Sequence, residues 1–228
     1  MSNFGDEDGY LIVEGYLNAD EIEDEEEKAS EVEKRKNSFN NIVSHNQSNP
    51  YCGGLLKKYH EEMPIWAFIE LISFGDLTDL LEYYNKKTGW VIPADLKSID
   101  RVRQIRNACA HGNCIINDLK PVKKQSDKKC GISYSPPHIT QFVTDAGIKE
   151  GNRTKRLSNP RINQIVHLLY VYDKVVISEN TRNIRMSELD HLLNERIKEH
   201  EAYFKSNQVL CATYEFFEKL IRYLVQKT

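Results

Sequence analysis

The sequence lacks the features that most easily mark exported and membrane proteins. No apolar stretch approaches the ~18 residues that a membrane-spanning helix needs, and Met1 is followed by acidic and polar residues instead of a basic start and an apolar run. The five cysteines are odd in number and include no Cys-x-x-Cys pair, which is typical of reduced thiols and not of a disulfide framework. We therefore expect a cytoplasmic protein with no membrane partner.

A strong net charge is also missing, because 31 basic and 34 acidic side chains leave a formal charge of -3. The charges are nevertheless unevenly distributed. Acidic residues are concentrated within residues 20–33, and basic residues within 101–106 and 120–161. A basic surface for a polyanion can therefore coexist with an acidic total.

Apolar residues recur at helical spacing along most of the chain, which predicts an all-α fold, a helical bundle. Residues 118–160 are instead rich in Lys, Ser, Gly and Pro, and they predict a long basic loop between the helices, with a short hairpin around residues 139–143. We expect an acidic N-terminal helical segment over residues 1–54 and a helical domain over 55–228. The helices are expected at about 21–43, 64–74, 76–84, 95–109, 162–175, 189–204 and 214–225.

The segment Arg103-Gln-Ile-Arg106-Asn107-Ala-Cys-Ala-His111 carries the side chains best suited to chemistry. The apolar residues around it predict a helix, on which Asn107 and His111 share a face one turn apart. The long side chain of Arg106 can turn toward the same cleft. Gly112, directly after His111, is typical of a helix C-terminus.

These residue types fit the cleavage of RNA, because RNA carries its own nucleophile in the 2'-hydroxyl. Cleavage then needs a group that transfers protons and a cation for the charge that develops on the phosphate, but no metal ion or other cofactor. Histidine is suited to proton transfer near neutral pH. The hypothesis makes His111 the acid or base and Arg106 the stabiliser of phosphate charge, while Asn107 orients His111 or a phosphate oxygen.

A metal site at the same segment is the alternative that Cys109, His111 and Cys114 suggest. Cys109 falls on the predicted apolar face, and no fourth ligand is spaced to complete a zinc site. We therefore predict no metal ligands.

The predicted basic loop offers cations for an RNA backbone beside the motif. A solvated loop with no ligand is the equally simple alternative, because lysine runs keep many loops soluble. The candidate RNA-binding residues are Arg103, Lys120, Lys123, Lys124, Lys128, Lys129, Arg153, Lys155 and Arg156, with Arg161 at the far end and Tyr134 as a base-stacking candidate.

Two stretches of the chain resemble those of a known family. The Pro-Ile-Trp-Ala-Phe-Ile-Glu sequence from Pro64, which leads into Ser-Phe-Gly-Asp, and the later Arg-Asn-Ala-Cys-Ala-His sequence from Arg106 are similar to the most recognisable parts of the bacterial Abi-like (abortive infection) proteins. That family belongs to the HEPN superfamily, whose signature is an Arg, a polar residue and, after a short spacer, a His. The resemblance is clear over residues 63–117, fainter from Ile162 onward and absent at the amino terminus.

The resemblance implies a HEPN-like helical bundle and a role in phage defence or in a toxin-antitoxin pair. Similar paired motifs cleave RNA without metal in the RNA-guided CRISPR effector ribonucleases, so a lone unit is implied to work as a homodimer. A cognate antitoxin, either RNA or protein, is a further implied partner. After His111 the relatives usually continue with a second His and Arg-Leu-Trp-Asn, of which only Asn117 is matched here.

Three functions follow from the sequence as alternatives. The first is a metal-independent endoribonuclease that uses Arg106, Asn107 and His111. The second is a non-catalytic module that binds a structured RNA through the basic residues, and the third is a helical protein that docks a partner through its acidic N-terminal helix or a dimer face.

Overall fold

The computed structural model describes residues 8–59, 61–121 and 135–227. Within these ranges the chain forms helices joined by turns, with no β-strand, which confirms the all-α prediction. The chain divides into two compact units, Met1–Ile92 and Pro93–Thr228. None of the helices described is both long enough and apolar enough to cross a bilayer.

The first unit holds a core to which α1, absent from the sequence prediction, contributes a central part. Its α1 packs against α2, α4 and α5, and the ring of Tyr16 makes edge contacts with Phe68 and Tyr83 at centroid distances of 5.9 and 5.8 Å. This core includes residues on both sides of position 54, so the division between the units falls after Ile92 and not at the expected boundary. The helices are α1 Tyr10–Leu17, α2 Glu25–Asn46, α3 Gly53–Tyr59, α4 Ile65–Leu71 and α5 Phe74–Thr88.

Side-chain caps set where the helices of the first unit begin. Asp24 caps α2 by accepting hydrogen bonds from the backbone N–H groups of Glu26 and Glu27, so the helix begins four residues later than the expected residue 21. Ser73 and Asp76 form a reciprocal capping box that begins α5. The break between α4 and α5 therefore precedes Gly75, where the sequence predicted the end of a helix.

The second unit is arranged around α9. Helices α6, α7 and α8 pack against it, and α10 packs against α12. The predicted apolar stripe of the last helix is confirmed, since Phe216, Leu220, Ile221 and Leu224 are all buried. The helices are α6 Leu96–Ala110, α7 Pro137–Asp145, α8 Glu150–Leu157, α9 Pro160–Val175, α10 Glu179–His191, a π-helical turn Leu192–Arg196, α11 Ile197–Glu199, a 3-10 turn Glu201–Tyr203 and α12 Gln208–Gln226.

The prediction of one long loop over residues 118–160 is wrong, because α7 and α8 lie within it. Pro137 occupies the start of α7, where a missing N–H costs nothing and the fixed φ angle suits a helix. Ile139, Phe142 and Val143 follow at helical spacing and are buried, so the expected hairpin is a helix. The segment 122–134 lies outside the residues that the structure describes.

Candidate functional site

The predicted motif lies at the C-terminal end of α6, where a complete C-cap fixes it. Asp95 begins the helix by accepting a hydrogen bond from the N–H of Ser98, as predicted. At the other end Gly112 adopts a φ of +66°, and the N–H groups of Gly112 and Asn113 donate to the carbonyls of Cys109 and Ala108 at 3.0 and 2.8 Å. This is the Schellman arrangement, and it places His111 at the C-cap position.

The three predicted catalytic residues lie together and are accessible. Arg106 Nη1 donates a hydrogen bond to Asn107 Oδ1 over 3.1 Å, so the guanidinium turns toward Asn107 as expected. The backbone N–H of His111 donates to the carbonyl of Asn107 over 3.0 Å. Arg106 and His111 are exposed and Asn107 is partly exposed, so all three side chains are accessible to a ligand.

Arg103, one turn earlier, is already paired. Its Nε and Nη2 both donate to Asp100 Oδ1, at 2.9 and 2.5 Å. Gln104 is also tied to the same carboxylate, because its Nε2 donates to Asp100 Oδ2 over 2.7 Å. The charge of Arg103 is therefore balanced locally, and its RNA contact stays a prediction.

A pocket of about 360 Å³ opens between α6, the segment after it and α9. Positions 104, 105 and 108 form its α6 wall, and His111 comes three residues after the last of these. Asn113, two residues after His111, lines the pocket again. The lining residues are Gln104, Ile105, Ala108, Asn113, Cys114, Ile115, Asn117, Arg161, Gln164 and Ile165.

Hydrogen bonds hold the polar walls of this pocket in place. Gln164 Nε2 donates to Gln104 Oε1 over 2.6 Å and joins α9 to α6. Arg161 Nε donates to Asn117 Oδ1 over 3.0 Å. The side-chain amide of Asn159, the N-cap of α9, donates to the backbone carbonyls of Asp118 and Lys120, both over 2.8 Å. The segment after the motif is thereby fastened to the start of α9, beside Arg161.

Some of the other predicted RNA-binding residues are described by the structure, and some lie outside the described residues. Lys120 and Lys155 are exposed, and Arg153 Nη1 donates to Thr144 Oγ1 on α7 over 2.6 Å. Lys123, Lys124, Lys128, Lys129 and Tyr134 lie outside the described residues.

Arg156 is a correction to the predicted set. Its side chain is only 4% exposed, and its Nη1 donates to Thr213 Oγ1 over 2.9 Å. Burial lowers the pKa of this guanidinium. The residue faces the interior because it lies on the packed side of the short helix α8, so in this conformation it does not reach an RNA.

The first turn of α6 carries a second group of polar side chains that sequence analysis did not connect. Ser98 Oγ is fully buried, donates to Asp95 Oδ2 over 2.6 Å and lies 2.8 Å from His167 Nδ1. His138 Nε2 lies 2.8 Å from the same Asp95 oxygen. Burial lowers the pKa of His167 to about 4, so this histidine is neutral and its Nδ1–H donates to Ser98.

Cys109 differs from its predicted place. It is exposed, as is Cys114, and not on the buried face of α6. In the described part of the chain no group of three or more His, Cys, Asp or Glu side chains is arranged to hold a metal ion.

Sequence reasoning missed Gln164 and Asn113 as parts of the site. Gln164 is one polar residue in an apolar helical pattern, and its position opposite Gln104 follows only from the packing of α9 on α6. Asn113 was noted as a departure from the family sequence.

The described part of the chain is an all-α protein with an exposed Arg-Asn-His group at the end of α6. The family model described as Abi-like protein matches residues 1–117. This is just over half of the 228 residues, and the chain belongs to the Abi-like family, which associates it with abortive infection, a defence against phage. Searches of the curated proteins and of the solved structures returned no significant match.

The matched range corrects the expected extent of the resemblance. It begins at residue 1 and so covers the amino terminus, where no resemblance was expected. It ends after the segment that follows α6, so helices α7 to α12 lie beyond it. The motif is within the family region, whereas Arg161 and Gln164 are not.

Proposed function

We propose that this protein is a metal-independent endoribonuclease of the HEPN type that acts in abortive infection or as the toxin of a toxin-antitoxin pair. The observation that carries the proposal is the exposed group at the end of α6. There the Arg106 guanidinium is turned onto Asn107 at 3.1 Å, one turn from His111 at the C-cap. The Asn107 side chain thus contacts Arg106, and Asn107 and His111 lie one helical turn apart.

In the proposed reaction a ribose 2'-hydroxyl loses its proton to His111 and its oxygen attacks the adjacent phosphorus. A bond from O2' to phosphorus forms, the bond from phosphorus to O5' breaks, and the leaving oxygen takes up a proton. The products are a cyclic phosphate and a 5'-hydroxyl. Arg106 stabilises the negative charge that grows on the phosphoryl oxygens, since a cation placed there acts most strongly in the transition state.

A second copy of the chain is proposed to complete the site. Proton removal from O2' and proton delivery to O5' occur on opposite sides of the phosphorus, and each requires its own acid or base. One chain supplies a single motif histidine. A homodimer that brings two α6 ends together would supply two histidines and two Arg106 guanidinium groups to one phosphate.

The test incubates the purified protein with a mixed RNA pool in a chelator and maps the new RNA ends. We expect cyclic-phosphate ends from the unmodified protein and from His191→Ala, which changes an exposed histidine on α10. His111→Ala and Arg106→Ala should each lose at least a hundredfold in rate, the usual contribution of an acid-base group or of one oxyanion donor.

RNA that is bound by the unmodified protein but left intact would contradict the proposal. That outcome would support a non-catalytic RNA-binding module. Equal cleavage by the unmodified protein and by His111→Ala would instead exclude His111 from the chemistry. Sedimentation of the active protein as a monomer would contradict the proposed dimer.

A further inference from the structure

The pocket between α6 and α9 has no part in the proton transfers described above, yet it adjoins the motif. His111 lies in the chain between Ala108 and Asn113, which both line the pocket. Its volume of about 360 Å³ is at the lower end of the ~300–1,000 Å³ of small-ligand sites. A single nucleobase with part of its ribose is a ligand of suitable size.

The walls of the pocket combine apolar side chains with amides, which suits a base. Side chains of Ile105, Ala108, Ile115 and Ile165 supply apolar surface for an aromatic ring. Asn113, Asn117 and Gln164 supply amide groups, whereas both amide atoms of Gln104 are already bound to Asp100 and Gln164. Amides can donate to and accept from the edge of a base, whereas a phosphate would require mainly donors and cations.

Arg161 is the one cationic side chain, among the residues described, that lines this pocket. Its Nε donates a hydrogen bond to Asn117 Oδ1 at 3.0 Å, which orients the guanidinium. The described residues provide no hydrogen-bond acceptor for its two Nη groups. An arginine held at Nε presents these groups as a planar fork. Such a fork matches two adjacent acceptors, and O6 and N7 of guanine are the pair that arginine most often recognises.

Gln164, one turn after Arg161 on the same helix α9, supplies an acceptor. Its Nε2 donates to Gln104 Oε1 at 2.6 Å, which orients the amide and leaves Gln164 Oε1 to accept from a ligand. Guanine carries N–H donors at N1 and N2, and N1 is next to the carbon that bears O6. Adenine has an amino donor where guanine has O6, so it cannot accept both bonds from the arginine fork.

We infer that this pocket binds an unpaired guanine base of a single-stranded RNA, with Arg161 reading O6 and N7, and so selects the nucleotide beside the cleaved bond. The inference rests on the proposed function in taking RNA as the substrate. Arg161 and Gln164 lie beyond the family match, so the selection of the base belongs to this chain's own C-terminal helices.

Binding is tested apart from cleavage with eight-nucleotide uridine oligomers that carry guanosine, adenosine or cytidine at the centre. A 2'-fluoro group on every sugar removes the nucleophile, so affinity alone is measured by fluorescence anisotropy. We expect the guanosine oligomer to bind the unmodified protein about tenfold more tightly than the others, the order of one bidentate arginine contact.

Two variants distinguish recognition by the planar donor pair of Arg161 from general attraction by positive charge. Arg161→Lys keeps the positive charge and loses the planar pair of donors, so the preference for guanosine should disappear. Lys155→Gln removes an exposed charge on α8, so it should weaken all three oligomers by a similar factor and keep the preference. Equal binding of the three oligomers by the unmodified protein would overturn the inference, and so would a preference that survives Arg161→Lys.

The two proposals fail in different ways. Cleavage of natural RNA at every base alike would overturn the guanine pocket and leave the ribonuclease. A guanosine preference in binding, with no cleavage of natural RNA, would support the pocket and overturn the ribonuclease. No binding of any oligomer would overturn both.

Discussion

The two units of the chain bury polar groups in different ways. In the first unit the Arg35 and Glu21 side chains are 8% and 3% exposed and joined at 2.6 Å. Arg35 also donates to the carbonyl of Tyr16 at 2.7 Å and to Glu31 at 3.0 Å. In the second unit the neutral Ser98 and His167 are buried beside a partly exposed Asp95.

The buried ion pair at Arg35 has a structural role, whereas the polar network at Asp95 is linked to the candidate site. The charges around Arg35 are paired within the first unit, so they hold the end of α1 against the middle of α2 and leave no group for a ligand. The network at Asp95 instead caps the helix that carries Arg106 and His111, and it includes His167, whose protonation is linked to folding. The ion pair at Arg35 is a structural contact, whereas the contact at His167 depends on pH.

The largest effect is expected from breaking the buried ion pair of the first unit. Glu21→Ala leaves the guanidinium of Arg35 without its closest carboxylate, and removal of one partner from a buried pair costs about 3–5 kcal/mol. Urea unfolding of the purified protein measures the loss. Glu33→Ala, a change of an exposed glutamate on α2, the helix of Arg35, should remain within about 0.5 kcal/mol.

A loss below about 1 kcal/mol in Glu21→Ala would place the pair among ordinary surface salt bridges. It would also remove the contrast between the Arg35–Glu21 ion pair and the neutral Ser98–His167 contact.

A smaller effect is expected when the pH is lowered. Burial first, and then the charge of Arg101 and the nearby His138, keep the pKa of His167 at about 4, while Asp95 acts in the opposite direction. In the unfolded chain His167 binds a proton below its ordinary pKa of about 6.5. In the folded chain it binds this proton only below about pH 4. Stability should therefore be complete above pH 6.5 and fall by about 1–2 kcal/mol between pH 7 and 5.

The matched variant is His167→Asn, whose amide nitrogen can replace Nδ1 as the donor to Ser98. It should unfold with a flatter dependence on pH over the same range. Protonation of Asp95 should lower the stability further only in stronger acid. Burial alone would raise the pKa of this carboxyl, but the hydrogen bonds from Ser98 outweigh burial and lower it. An unchanged pH profile in His167→Asn would assign the acid sensitivity to other groups.

Sequence alone sufficed for the helices with strong apolar periodicity. The predicted helices at about 95–109 and 214–225 match α6 and most of α12, because their apolar spacing is a local signal. Helix α7 was missed although Ile139, Phe142 and Val143 have helical spacing, because Pro136 and Pro137 suggested a loop. Helix α8 has almost no apolar period, since Leu157 is its one buried apolar residue. Its order comes from packing on α9.

The candidate site was predictable to the same extent. Arg106, Asn107 and His111 are neighbours on one helix, so their spacing alone brings them together. The pocket joins residues far apart in the chain, as the contact between Gln104 and Gln164 spans 60 positions. Likewise, composition marked Arg156 as a basic surface residue, and only the packing of α8 reveals that it is buried. Long-range placement of this kind leaves no local pattern in a sequence.

The smallest effect is expected at Arg156, the buried cation of the second unit. Unlike Arg35, it donates only to Thr213 at 2.9 Å, and its buried Nε has no partner among the described residues. Arg156→Met keeps the volume and removes a desolvated charge, so the free energy of unfolding should stay unchanged or rise by up to about 1 kcal/mol. Thr213 Oγ1 keeps its bond to the carbonyl of Val209 at 2.7 Å.

Arg35→Met is the matched change in the first unit, and it should lose roughly as much stability as Glu21→Ala because it leaves the buried carboxylate of Glu21 unpaired. Urea unfolding of the two methionine variants therefore compares the units directly. Affinity for RNA should be unchanged in Arg156→Met, since the side chain does not reach the surface. A loss of more than about 1 kcal/mol at Arg156, or a loss of RNA affinity alone, would mean that this guanidinium has a partner besides Thr213.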